Sequence, residues 1–163
     1  GEHTARVTAL AVGLGRRLGL SDDEIEQPRR GAILHDIGKM ALPDRVLSKP
    51  GPLDEEEWAL MRQHPDLAVQ MLTDVSFLAP AMVVPAAHHE RWDGTGYPRG
   101  LVGEEIPFYA RVFAVVDVYD ALTSDRTYRK PATKAEALDH IDRGAGAHFD
   151  PDVAHEFVAM MRT

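Results

Sequence analysis

Three placements in this chain set imidazoles or carboxylates where solvation does not account for them. His35-Asp36 closes the apolar run Ala32-Ile33-Leu34 and is followed by Ile37. His88-His89 closes a second apolar segment, and Asp117 interrupts the stretch from Val112 to Tyr119. A carboxylate on an apolar helix face costs on the order of several kcal/mol unless something compensates it. A divalent metal compensates it well, and imidazole with carboxylate oxygen suits Fe, Mn or Zn. The chain has no cysteine, so a thiolate zinc site, a disulfide framework and a thiol nucleophile are all excluded. Neighbours on a helix diverge by about 100° around its axis. His35 and Asp36 therefore do not chelate one ion as a same-face pair would. They suit two neighbouring ions, or one binds while the carboxylate bridges. His88-His89 repeats the arrangement, and with His64 and Asp117 the ligands suffice for a two-metal site.

The elements that must position these groups read as helices. Val7, Leu10, Leu14 and Leu18 fall at helical spacing over Arg6 to Leu18. Ser21 and Glu24 form a capping-box pattern for a helix running toward His35, which Pro28 is expected to kink or split. Met40 to Leu53, with three prolines and Gly51, reads as a loop. Asp54 is expected to cap a helix through His64, and Pro65 to start the next through Leu72. Val75 to Glu90 reads as an apolar helical stretch interrupted by Pro80 and Pro85, and Asp93 to Gly103 as the longest clear loop. Pro107 opens a helix to Leu122 that is apolar around most of its circumference and hence central. Thr133 with Glu136, and Asp150-Pro151, start the last two helices. No period-2 run appears, and the fold expected is all-α, a single-domain helical bundle.

Composition narrows the function classes. With 163 residues, 44% hydrophobic and 27% charged, the chain can bury one core. The longest uncharged stretch, Val75 to Ala87, falls short of a membrane span. A formal charge of -8 argues against a duplex nucleic acid partner, which requires phosphate neutralisation. The start at Gly1, without a signal-peptide pattern, reads as a piece excised from a longer parent chain. A cytoplasmic location is expected. His140 and His155 read as solvated helix residues, and His148 as a packing or capping residue. The six methionines and Trp58 read as core fillers, and Trp92 as a packing residue.

His35-Asp36-Ile37-Gly38-Lys39 resembles the signature of the HD superfamily of metal-dependent phosphohydrolases. The run His88-His89-Glu90-Arg91-Trp92-Asp93-Gly94-Thr95-Gly96-Tyr97-Pro98 resembles the extended second motif of its HD-GYP branch. The similarity continues through Ile106-Pro107, Ala110-Arg111-Val112, Asp117 to Thr123, Asp125-Arg126 and His148-Phe149-Asp150-Pro151, nearly the whole chain. Thr127, Ala41 and Ala68 depart from residues common in the family, and none of them is a ligand position.

The resemblance implies an enzyme that hydrolyses the bacterial second messenger cyclic di-GMP to linear pGpG, GMP or both. The implied cofactors are two divalent ions, iron or manganese, with water activated between them as nucleophile. The implied ligands are His3, His35, Asp36, His64, His88, His89 and Asp117. Members with a third metal carry a glutamate four residues before the histidine matching His3, a position that precedes Gly1. Asp36 is the candidate bridging carboxylate. Lys39 is the candidate cation at the reacting phosphate, and Arg126 and Arg129 match cations that contact substrate phosphate or base. Gly96, Tyr97 and Pro98 are expected to rim the cleft, in a loop linked in the family to diguanylate cyclase (GGDEF) domains. An upstream sensory or receiver domain is expected in the parent chain. The rival expectations are a non-catalytic module that binds a cyclic dinucleotide or docks a cyclase, and an HD hydrolase of another nucleotide.

Overall fold

Helix α1 (Glu2–Arg17) buries Val7, Ala11 and Leu14 on one face, the face that the three- and four-residue spacing marks out. It ends in a Schellman turn: Gly19 takes φ of 95°, its amide bonding Arg16 and that of Leu20 bonding Gly15. A computed structural model describes residues 1–163, and eight further α-helices follow with no β-strand. They are α2 (Glu26–Leu34), α3 (Asp44–Leu47), α4 (Glu55–Met61), α5 (His64–Leu72), α6 (Val83–Ala87), α7 (Phe108–Thr123), α8 (Lys134–Arg143) and α9 (Pro151–Arg162). The fold is all-α and single-domain, as the sequence implied. No helix is long and apolar enough to cross a membrane.

Helix α7 is the central element. Val112 to Val116 are buried in an unbroken run, and α1, α2, α6, α8 and α9 all pack against it. Phe113, Phe149, Phe157, Leu14 and Ile141 are the large side chains of the core this creates. Asp150 ties two helices together. One oxygen caps α9 by accepting from the Asp152 amide at 2.9 Å, while the other accepts from Arg111 on α7 at 2.6 Å. Thr133 and Glu136 form the expected capping box of α8, as Asp54 and Glu57 do for α4.

Five expectations are corrected. Pro28 neither kinks nor splits a helix; α2 begins at Glu26, so the proline occupies its first turn, where its missing N–H has no intrahelical role. The Ser21–Glu24 reciprocal bonds exist, but they close a turn before α2. The 40–53 segment is not all loop, because a 3₁₀ turn covers Ile37–Ala41 and α3 follows. The helix capped by Asp54 ends at Met61, and His64 is the first residue of α5 rather than the last of α4. The apolar 75–90 stretch reduces to a 3₁₀ turn at Ser76–Leu78 and the short α6, separated at Pro80.

Two glycines set how closely the site-bearing elements approach. A Cβ on Gly31 would meet the Val84 side chain at 2.5 Å, so α2 lies directly on α6. A Cβ on Gly38 would meet the His64 carbonyl oxygen at 1.8 Å, so the turn after His35-Asp36 sits against the start of α5. These contacts bring the ends of α2, α5 and α6 to one place beside α7.

Candidate metal centre

Each candidate ligand stands at a helix end or on α7. His35 is the residue after α2, and Asp36 leaves the helix with φ of -105° and ψ of 10°. His64 opens α5, His88 follows α6, and Asp117 lies midway along α7. A helix end frees successive side chains from the 100° divergence, and the adjacent residues use this differently. His35 groups with His3 and Asp117, whereas Asp36 groups with His64, His88 and His89. Within each group one ligand atom per residue lies within 4.8 Å of the others. The His88-His89 pair does not repeat the split expected of it. Past the end of α6 the two rings converge, with centroids 4.0 Å apart, on the same group.

Asp36 lies between the groups. Its Oδ2 is 3.1 Å from His35 Nε2, and its Oδ1 is 3.6 Å from His64 Nε2 and 3.9 Å from His88 Nε2. A carboxylate with one oxygen toward each group is the geometry of a bridging ligand. On the other side His3 Nε2 is 3.4 Å from His35 Nε2 and 3.9 Å from Asp117 Oδ1.

Backbone carbonyls orient three of the rings. His35 Nδ1 is 2.6 Å from the Ala32 oxygen, His64 Nδ1 is 2.7 Å from that of Met61, and His88 Nδ1 is 3.0 Å from that of Val84. With Nδ1–H donating in each case, the Nε2 lone pairs aim into the site. Asp120 plays the same part for His3, its carboxylate 2.6 Å from Nδ1, and is itself held by Arg6 at 2.6 Å. His64 Nε2 and His88 Nε2 are buried with no hydrogen-bond partner. Orphaned lone pairs of this kind fit a metal, and the nitrogen-and-oxygen donor set suits a divalent first-row ion.

Burial and neighbouring charge divide the site electrostatically. Burial pushes His64 down, His88 well down and His89 down to about 3, leaving their rings neutral and ready to ligate. Burial would raise the Asp36 carboxyl, but the His35 hydrogen bond, the His35 charge and Lys39 together outweigh it and hold the group ionised. Burial raises Asp117. Seven acidic or imidazole groups thus face each other at close range in two adjoining sets, an arrangement that cations relieve.

A cleft opens from these groups on two sides. On one side His3, Asp36, Lys39, Asp117 and Arg126 line a cavity of 340 Å³; on the other Arg62, Arg91, Thr95, Gly96 and His148 line one of 510 Å³. Trp58, His89, Tyr97 and Asp117 line both, so the two cavities adjoin at the candidate ligands His89 and Asp117. Lys39 Nζ lies 3.2 Å from Asp36 Oδ2. Tyr97 stacks on His89 at 4.9 Å between centroids. Gly96 packs so tightly on the chain at His89–Arg91 that a Cβ would come within 2.4 Å of the Arg91 nitrogen. Arg129 is not brought into either cavity; its guanidinium donates to the Ala121 oxygen at 2.8 Å. Pro98 likewise lines neither.

Several residues here were not read from the sequence as site residues. Trp58 is no core filler, being 42% exposed at the cleft, and among the methionines Met40 is 76% exposed. His148 packs on Phe149 as expected, rings stacked at 4.2 Å, but it also faces the cleft. Glu90 is buried, and its carboxylate accepts from the Arg99 and Leu101 amides at 2.7 and 3.0 Å, anchoring the loop that follows. The signal for Glu90 was a third polar residue after His88-His89 in a buried segment. His140 and His155 are exposed, as expected.

Known proteins align with this geometry. The HD domain family matches residues 1–153. A cyclic di-GMP phosphodiesterase of Pseudomonas aeruginosa is 47% identical over 96% of this chain and 38% of its own length. A 3′3′-cGAMP-specific phosphodiesterase of Vibrio cholerae is 37% identical over 98% of this chain and 32% of its own. The chain thus spans about a third to two fifths of the relatives it matches. An HDG"Y"P protein from Bdellovibrio bacteriovorus shares the fold, with a TM-score of 0.77 at 22% identity over 99% of this chain and 52% of its own.

Proposed function

The chain belongs to the HD domain family, and on that premise we propose that it is a metal-dependent phosphodiesterase hydrolysing cyclic di-GMP to linear pGpG, GMP or both. The observation that carries the reading is the Asp36 carboxylate set between two groups of ring nitrogens. One group, His3, His35 and Asp117, would hold one divalent ion; the other, His64, His88 and His89, would hold a second, with Asp36 shared. Iron or manganese is the expected metal. Bound ions of this kind make water a nucleophile near neutral pH and offset charge on phosphoryl oxygens.

The chain's own residues do the rest. Carbonyls of Ala32, Met61 and Val84 and the Asp120 carboxylate fix which ring nitrogen His35, His64, His88 and His3 present. Lys39, paired with Asp36 at 3.2 Å, stands where its ammonium meets a phosphodiester oxygen and steadies charge on the departing 3′ oxygen. Arg126 faces the same cavity and is suited to bidentate phosphate contact. Gly96 and Tyr97 form the opposite rim. Residues 1–163 are one HD-GYP-like unit of a longer parent, with a sensory or receiver domain elsewhere in it. The Gly94 to Pro98 rim is the surface offered to a GGDEF domain.

Purified protein should contain two or three iron or manganese ions per chain by elemental analysis and release pGpG or GMP from cyclic di-GMP. Asp36→Ala should retain the helical circular-dichroism spectrum and lose turnover by at least about 100-fold. Cyclic di-GMP left intact by metal-loaded wild type over long incubation overturns the reading. The similarity to the cGAMP-specific relative favours one alternative substrate, 3′3′-cGAMP, which side-by-side turnover distinguishes.

A further inference from the structure

Trp58 and Arg62 are large residues placed at the cleft without a structural task. Trp58 is 42% exposed, although the indole is a side chain that folding normally covers, and it lines both cavities beside the ligands. The Arg62 guanidinium lies 5.8 Å from the Trp58 ring centroid and engages no carboxylate or hydrogen-bond acceptor. Arg91, by contrast, is paired with Asp93 and Thr95. The C-terminal end of α4 therefore presents a half-exposed indole, with a guanidinium over one of its faces that no carboxylate pairs, within one cavity of 510 Å³.

We propose that Trp58 and Arg62 form a base subsite: the indole stacks a purine of the cyclic dinucleotide, and the guanidinium contacts its edge. The proposal rests on the cyclic-dinucleotide reading above and adds the residues that select for the base. A cyclic dinucleotide carries a base on either side of its two phosphates. With one phosphodiester at Asp36 and Lys39, a base has to extend along the cleft wall; of the aromatic side chains common to both cavities, Tyr97 is stacked on His89, which leaves Trp58 for the base. Base–aromatic stacking tolerates any base, whereas a guanidinium pairs best with the O6/N7 edge of guanine. Trp58 thus supplies affinity, and Arg62 supplies preference for guanine over adenine.

The test uses metal-loaded protein and two probes, GMP and the base-free ribose 5-phosphate, with binding followed by calorimetry. Trp58→Ala should weaken GMP about tenfold and leave ribose 5-phosphate unchanged; Trp58→Phe should keep most of the GMP affinity. Arg62→Gln should narrow the preference for GMP over AMP. In turnover, Trp58→Ala should raise KM for cyclic di-GMP about tenfold, the loss falling on KM rather than on kcat. Equal GMP affinity in wild type and Trp58→Ala, or an equal loss of GMP and ribose 5-phosphate, overturns the subsite. Failure of wild type to hydrolyse cyclic di-GMP would sink the substrate reading, while the GMP titration still decides the subsite.

Discussion

Burial lowers the proton affinity of four histidines here. His64, His88, His89 and His148 are all lowered, His89 to about 3 and His148 to about 4, with nearby cations adding to desolvation. A lowered histidine binds its proton more weakly folded than unfolded, so the unfolded chain takes up protons first as pH falls below about 6.5. Stability of metal-free protein should therefore be full above that pH and fall from about pH 6.5 toward about pH 3 to 4, where the folded histidines take up their own protons. His35 is raised through Asp36 against its own burial, and opposes the trend as a single group. Thermal melts in chelator across that window check this, and a flat Tm contradicts it. The residue types and their spacing told which side chains could ligate. They did not tell which way a ring faces: Trp58 and His148 were read as packing residues because nothing local distinguishes an indole on a core from one on a cleft. Asp120 was likewise recognised in a motif without a role, since its partner His3 is 117 residues away.

At the scale of elements, caps and α7 were legible because their cause is local. A carboxylate three residues before a glutamate, or an apolar run with one charge in it, carries its own explanation. The start of α5 and the end of α6 were not legible, and those ends carry His64, His88 and His89. Their position depends on close approach between segments, which a chain reports only through glycines. Gly38 is the clearest case, since its missing Cβ is what lets the His35-Asp36 turn abut His64. Gly38→Ala should separate the turn from α5, cost about 1–3 kcal/mol of stability, and reduce metal content along with turnover. Normal metal stoichiometry in a folded Gly38→Ala protein would refute the claim that this contact sets the spacing of the two groups.

For the whole molecule, bound metal would also be a structural cross-link. The seven candidate ligands come from α1, α7 and the ends of α2, α5 and α6, so metal binding joins five helices that a small core otherwise holds. A ligand at about 1,000 times its Kd stabilises by about 4 kcal/mol, which for a domain of this size is a Tm shift on the order of 10 °C. Stripping the metal should lower Tm by that amount, and Asp36→Ala should lose the difference between loaded and stripped protein. The negative charge of the chain, informative about duplex nucleic acid, said nothing about a cleft with Lys39, Arg62 and Arg126 at its edges. Glu90, next in the chain to His89, keeps its buried carboxylate satisfied only while the Arg99 and Leu101 amides stay in place. Swinging the rim outward would strand that carboxylate away from water and tug on the imidazole beside it. The rim is therefore a wall rather than a door, and substrate must fit an aperture that already has its shape.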